Sequence, residues 1–168
     1  MLTMNTSRPP REAIHFRPIT PDDTPFLRRV YGTTREEEMG RVPWTDEQKT
    51  AFVDMQFAAQ KEHYEKFYPD CEFLVIELEG ERIGRLYIDR GEIDIEIIDI
   101  ALLPEYRGRG LGGMLLEEIL AEGRATGKNV QIYVEHYNPA RHLYERLGFR
   151  HVDSNGIYHK MQWRADAT

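Results

Sequence analysis

Arg107-Gly108-Arg109-Gly110-Leu111-Gly112 decides how this chain is read. It lies between an apolar strand expected over residues 93–103 and an apolar-striped helix expected to begin near Gly110, carrying Leu111, Met114, Leu115, Leu116, Ile119 and Leu120. Glycines strip the loop of side chains, so successive backbone N–H groups can point at one object. The helix behind adds its unpaired N-terminal donors and the positive end of its dipole. With two arginines alongside, the stretch reads as a phosphate-binding device.

Two phosphate-binding patterns compete for it. Gly108, Gly110 and Gly113 satisfy the dinucleotide fingerprint, and Glu135 follows at the distance that fingerprint wants. In that fold, however, the glycines follow the strand at once, whereas Pro104-Glu105-Tyr106-Arg107 intervenes here. Too little chain also remains for the further βα units of a dinucleotide domain. The other pattern is Arg-x-x-Gly-x-Gly, read as Arg107, Gly110 and Gly112. With the preceding Ile100-Ala101-Leu102-Leu103-Pro104-Glu105-Tyr106 it resembles the acyl-CoA diphosphate loop of the GNAT superfamily of N-acetyltransferases. Asn138-Pro139-Ala140-Arg141-His142-Leu143-Tyr144-Glu145-Arg146-Leu147-Gly148-Phe149 resembles the second signature of that superfamily, a short helix ending in a Tyr…Gly-Phe step. The resemblance is strong over residues 93–152 and looser before them.

Composition sets the outer limits. The chain has 168 residues, 40% hydrophobic and 30% charged, which suits one soluble domain with a sizeable core. A polar, Pro-containing segment, residues 1–12, reads as a flexible arm, and residues 13–164 as a single domain. A lone cysteine, Cys71, excludes an internal disulfide and fits a reducing, cytoplasmic setting. A net charge of −7 argues against general nucleic-acid binding, and no apolar run approaches a membrane span. The six histidines show no metal-ligand spacing, so no metal is expected.

Local signals lay out the elements. Residues 14–17 alternate as a first strand. Thr20-Pro21-Asp22-Asp23 starts a helix ending near Gly32, and Thr45-Asp46-Glu47-Gln48 is a capping box for a second helix reaching Phe67. Phe52, Val53, Met55, Phe57, Ala59 and Tyr64 give that helix a broad apolar face. Trp44, Phe52, Tyr64, Phe67 and Tyr68 are expected mostly in the core, with an acceptor pocket as their other use. Strands over residues 72–78 and 82–89 flank the turn Glu79-Gly80-Glu81, and a strand over 130–135 follows the glycine-led helix. A hairpin around Asp153-Ser154-Asn155-Gly156 closes the sheet. The strand–helix–strand crossover implies one parallel pair. The fold class is therefore α+β, a mixed, largely antiparallel sheet with helices on both faces, and the resemblance implies that it is of GNAT type.

The resemblance implies a function. Acetyl-CoA is the expected co-substrate, its diphosphate held by Arg107, Gly108, Arg109, Gly110, Leu111 and Gly112. Its amide-rich arm would pair with backbone groups of Ile100, Ala101 and Leu102 where two central parallel strands splay. The thioester would lie beside the strand over 130–135, and Asn138 would cap the fourth helix, touch the cofactor arm, or both. An alkylammonium with a pKa near ~10 must lose a proton before attack, and the departing thiolate gains from a proton donor. Tyr144 is the candidate donor and Glu96 the candidate base, acting directly or through a water; Asp99, Tyr133 and Glu135 are further candidates. Alternation puts Asp94 and Glu96 on one strand face and Ile93, Ile95 and Ile97 on the other, with Asp99 opposite Glu96 unless the strand bulges at Ile97-Ile98.

The expected activity is acetyl transfer to the primary amine of a small molecule by direct attack in a ternary complex. No nucleic-acid or membrane partner is expected, and a homodimer is left open. A protein N-terminus or lysine is the alternative acceptor. A non-catalytic acyl-CoA sensor is the alternative of a different class, and a nucleotide oxidoreductase a third.

Overall fold

Thr20 and Thr45 open the helical segments of the N-terminal half by the same local chemistry. In the structure, a computed structural model that describes residues 8–166, each threonine exchanges hydrogen bonds with the residue three positions on. Thr45 Oγ1 accepts from Gln48 N at 3.1 Å, and Thr45 N donates to Gln48 Oε1 at 2.9 Å. Orphan N–H groups at the helix start are satisfied in this way, and the boundary is fixed from the sequence itself. Strand β1 (Ile14–Pro18) precedes a 3₁₀ turn, Pro21–Asp23, which runs into α1 (Thr24–Thr33). A short α2 (Glu36–Met39) exposes Glu36, Glu37 and Glu38 and buries Met39. The long α3 (Asp46–Phe67) follows.

Helix α3 corrects one expectation. Its buried stripe is narrow: Phe57 is buried and Val53, Gln56, Gln60 and Tyr64 are half-buried, whereas Met55 and Ala59 are exposed. The 3.6-residue period puts 53, 57, 60 and 64 on one side and leaves 55 and 59 facing water. Trp44 and Phe67, expected mostly in the core, are 40% and 59% exposed.

The sheet follows in β2 (Glu72–Leu78), β3 (Glu81–Arg90), β4 (Asp94–Leu102), β5 (Asn129–Glu135), β6 (Arg150–Asn155) and β7 (Tyr158–Trp163), with α4 (Leu111–Thr126) between β4 and β5 and α5 (Ala140–Arg146) between β5 and β6. Its order is β1-β2-β3-β4-β5-β7-β6. Glu79 and Gly80 both take positive φ, 51° and 82°, as the tightest hairpin turn between β2 and β3 demands. Residues 83–88 of β3 are buried without alternation, so this strand is covered on both faces. Strand β4 pairs in parallel with β5, joined by the crossover through α4. Ile93 lies ahead of β4 in the preceding turn and is 80% exposed, not on a buried strand face. The closing hairpin turns later than expected: β6 runs through Asn155, which pairs with Tyr158, so the turn is Gly156-Ile157.

The chain divides into two compact units. One contains Pro10–Leu86 and Ile100–Tyr106; its core joins Phe26, Leu27, Val30 and Tyr31 of α1 to Phe57, Val75 and Leu103. Asp23, 1% exposed, is held there by Arg17 at 2.8 Å and Arg82 at 3.2 Å. The other contains Tyr87–Asp99 and, among the described residues, the chain from Arg107 to Asp166 with Arg8 and Pro9. Its buried residues include Ile95 and Ile97 of β4, Leu111, Leu115 and Ile119 of α4, and Val130 and Ile132 of β5. Gly123 brings α4 close: a β-carbon there would sit 2.8 Å from Lys128 O and 3.0 Å from the Trp163 ring. Of the expected arm, residues 1–7 lie outside the described residues. Arg11–Ala13 form a 3₁₀ turn in which Arg11 donates to Ile14 O at 2.6 Å. Among the described residues no helix is long and apolar enough to cross a membrane.

Candidate active site

Gly108 and Gly110 are what make the loop possible. Both take left-handed φ, 75° and 76°, which costs an L side chain about 1–2 kcal/mol. Gly110 caps α4, and the first helical bond is Met114 N to Gly110 O at 3.0 Å. The N–H groups of Leu111, Gly112 and Gly113 therefore have no acceptor within the helix. Leu111 buries its side chain in the core, 1% exposed, so it offers the site only its backbone. A β-carbon at Gly108 or Gly112 would meet nothing within 4 Å, so a ligand can approach that backbone closely. A diphosphate fits such a site: bare amides, a helix N-terminus, and Arg107 and Arg109 on the same loop.

Tyr144 sits at a C-cap, which explains the spacing of the signature around it. Phe149 N donates to Tyr144 O at 3.0 Å and Gly148 N to Glu145 O at 3.1 Å, with Gly148 at φ 103°. That is a Schellman motif, in which glycine supplies the left-handed residue and the flanking apolar pair closes over it. Here the pair is Tyr144 and Phe149, rings 5.8 Å apart. Tyr144 is 6% exposed. Burial pushes its phenol well above the ordinary tyrosine range, and the carboxylates of Asp99 and then Glu135 push it further. The phenol is thus neutral throughout the physiological range and feels the charge of two acids from different strands.

Those acids come from strand segments beyond the parallel ladder. The β4–β5 register pairs Asp94–Ile97 with Asn129–Ile132, while β4 continues to Leu102 and β5 to Glu135. Burial alternates along Asp94–Ile97 and stops alternating at Ile98. The adjacent Ile97-Ile98 was the only sequence signal of this change. It did not reveal that Asp99 and Glu135 act electrostatically on Tyr144.

Glu96 stands elsewhere, inside the intact ladder opposite Gln131. It lines a recess of 310 Å³ with Asp89, Glu92, Asp94 and Gln131. Its pKa is raised, first by burial and then by Asp89, with Lys160 opposing. Gln131 donates to Asp94 Oδ2 at 2.7 Å, fixing one wall. Glu96 precedes Asp99 by three residues, about 10 Å along a strand, so the two carboxylates occupy different heights.

Asn138 is placed as a cap: its Oδ1 accepts from Ala140 N at 2.9 Å, with Pro139 between them. Ile100, Ala101 and Leu102 belong to the other unit. There Leu103 N donates to Ile83 O at 2.8 Å, and a β-carbon on Gly84 would collide with Ala101 O. Ala101 therefore presents its carbonyl to β3. By strand alternation the backbone groups of Ile100 and Leu102 face the opposite edge. Among the described residues no group of three His, Cys, Asp or Glu side chains is placed to hold a metal ion.

Known proteins match this arrangement. The acetyltransferase (GNAT) family model covers residues 33–149. The [ribosomal protein bS18]-alanine N-acetyltransferase of Haemophilus influenzae is 36% identical over 64 residues, 38% of this chain and 44% of that protein. The mycothiol acetyltransferase of Corynebacterium glutamicum is 36% identical over 97 residues, 56% of this chain and 33% of that protein. The match thus spans less than half the length of either relative. Among solved structures, the PaiA N-acetyltransferase from Thermoplasma acidophilum in complex with coenzyme A superposes with a TM-score of 0.66 at 20% identity, covering 90% of this chain and 98% of that one.

Proposed function

Because the chain belongs to the acetyltransferase (GNAT) family, we propose that it moves an acetyl group from acetyl-CoA to a primary amine by direct attack, with residues 107–112 holding the diphosphate. The observation that carries this reading is the bare loop itself: two left-handed glycines feed a helix N-terminus, with open space over Gly108 and Gly112. A merely structural turn needs no such opening. Residues 13–164 serve as one catalytic domain. Backbone groups of Ile100 and Leu102, the outward-facing members of the 100–102 edge, pair with the amide-rich arm. Ala101 contributes less, its carbonyl being turned to β3. Asn138 acts first as a cap that sets α5, and through α5 the position of Tyr144.

The residues then divide the proton work. Glu96, its pKa raised, is a stronger base than an ordinary carboxylate and opens onto a recess large enough for an amine or a relay water. Tyr144 keeps its proton and donates a hydrogen bond to the leaving sulfur. Its pKa lies above that of a simple thiol, near ~8.5, so it stabilises the thiolate by hydrogen bonding and leaves complete protonation to solvent. Acetyl transfer balances simply: the amine nitrogen forms the amide bond, the carbon–sulfur bond breaks, and the amine proton leaves through the base.

The preferred acceptor is a small-molecule amine in the cytoplasm. A protein N-terminus is the second reading, favoured by the similarity to an enzyme named for a ribosomal-protein alanine. Release of free CoA thiol, measured against a panel of small amines and short peptides, tests both. Turnover with small amines alone supports the first reading, and turnover with peptides alone the second. Binding of acetyl-CoA without turnover on any acceptor would point to a sensor and overturn the catalytic proposal.

A further inference from the structure

Arg8 stands apart in sequence from every residue placed at the diphosphate loop, yet it lies on that loop. A β-carbon at Gly110 would be 3.4 Å from Arg8 Cδ and 3.9 Å from Arg8 Cγ. The aliphatic stem of Arg8 therefore lies just beyond the bare face of Gly110, where a β-carbon would touch it at ordinary van der Waals distance. Arg8 also clusters with the unit that carries the loop, whereas the chain from Pro10 belongs to the other unit. Among the described residues no hydrogen bond or ion pair engages its guanidinium, and the side chain is exposed. A long cationic side chain has been laid along a glycine with its stem packed and its charge uncommitted. That is how arginine is used when its planar fork must reach an anion.

We propose that Arg8 is a cofactor-binding residue: its stem packs on Gly110 and its guanidinium closes over the diphosphate that residues 107–112 hold. The inference rests on the diphosphate reading above and adds to it a group from the N-terminal segment, which no glycine-loop motif includes. Arg107 and Arg109 approach the anion from the loop itself, and Arg8 approaches from the chain crossing it. Gly110 then has two functions. Its left-handed φ turns the chain into α4, and its bare face looks toward the Arg8 stem.

The test uses the full chain and two acetyl donors, acetyl-CoA and S-acetylpantetheine, the second lacking phosphates. In Arg8→Ala, the Kd for acetyl-CoA should rise about 5-fold, the size of one solvent-exposed charge-assisted contact. Saturating kcat should not change, and neither should the KM for S-acetylpantetheine. Arg8→Lys should recover part of the loss, since it keeps the charge but not the fork. An unchanged or lowered Kd in Arg8→Ala overturns the inference, as does an equal loss with both donors, which would mark a structural role. Wild-type protein that binds no acetyl-CoA overturns the diphosphate reading and this inference with it. Wild-type binding with an indifferent Arg8→Ala overturns this inference alone.

Discussion

Tyr144 and Glu96 are both displaced from their ordinary acidities, in the same direction and with different consequences. For the phenol, burial beside Asp99 and Glu135 means that the proton is never lost in the working range. Tyr144→Phe keeps the ring against Phe149 and removes only the hydroxyl. It should lower kcat about 100-fold with little change in the KM for acetyl-CoA or in thermal stability, as steady-state kinetics and a melting curve would show. A wild-type rate in the variant would make Tyr144 a core aromatic only. For Glu96, the proposed base, a raised pKa moves upward the pH at which its carboxylate becomes available. The acid limb of kcat/KM should therefore lie above the usual carboxylate range, and Glu96→Gln should abolish that limb. If Glu135→Gln abolishes it instead, the base is the carboxylate beside Tyr144. Which acid neighbours which phenol was not legible in the sequence. Asp99, Glu135 and Tyr144 come from three elements, and the electrostatic coupling among them is set by the tertiary fold.

Caps and turns, by contrast, were legible because their chemistry is local. Thr45 with Gln48, the Glu79-Gly80 turn and the Gly148-Phe149 step are each decided by residues within five positions of one another. What failed was assignment by composition alone. Met55 and Ala59 are apolar but lie off the stripe of α3, and Asp153-Ser154-Asn155 reads as a turn yet pairs as strand because β7 supplies partners. Helix α4 offers a prediction that separates fold from function. Gly112 lies inside the helix with open space around it, so Gly112→Ala should leave the free protein as stable or up to about 1 kcal/mol more stable by denaturant titration. If residues 107–112 hold the diphosphate as proposed, the same methyl would stand over its amide donors, so acetyl-CoA affinity should fall at least about 10-fold. Equal affinity in the two proteins would place the diphosphate elsewhere.

At the scale of the whole molecule, stability and ligand binding each give a further check. Asp23 is the buried acid that joins β1, α1 and β3 through Arg17 and Arg82, and these partners hold its carboxyl well below the usual range. A depressed carboxylate stabilises the fold above its unfolded pKa, near ~4, and this contribution fades as pH falls toward the folded value. Asp23→Asn should therefore lose about 2 kcal/mol at pH 7, with the gap to wild type narrowing below about pH 4 in urea titrations. Acetyl-CoA at 100 times its Kd should add about 2.7 kcal/mol to stability, seen as a rise in Tm, while NAD should add nothing. A Tm raised by NAD and not by acetyl-CoA would revive the dinucleotide pattern at Gly108, Gly110 and Gly113. The most direct measurement is a crystal structure with acetyl-CoA bound. Diphosphate oxygens should accept hydrogen bonds from backbone N–H groups within residues 108–113, with the thioester directed toward the Tyr144 hydroxyl. A diphosphate seated anywhere else on the protein would contradict the account.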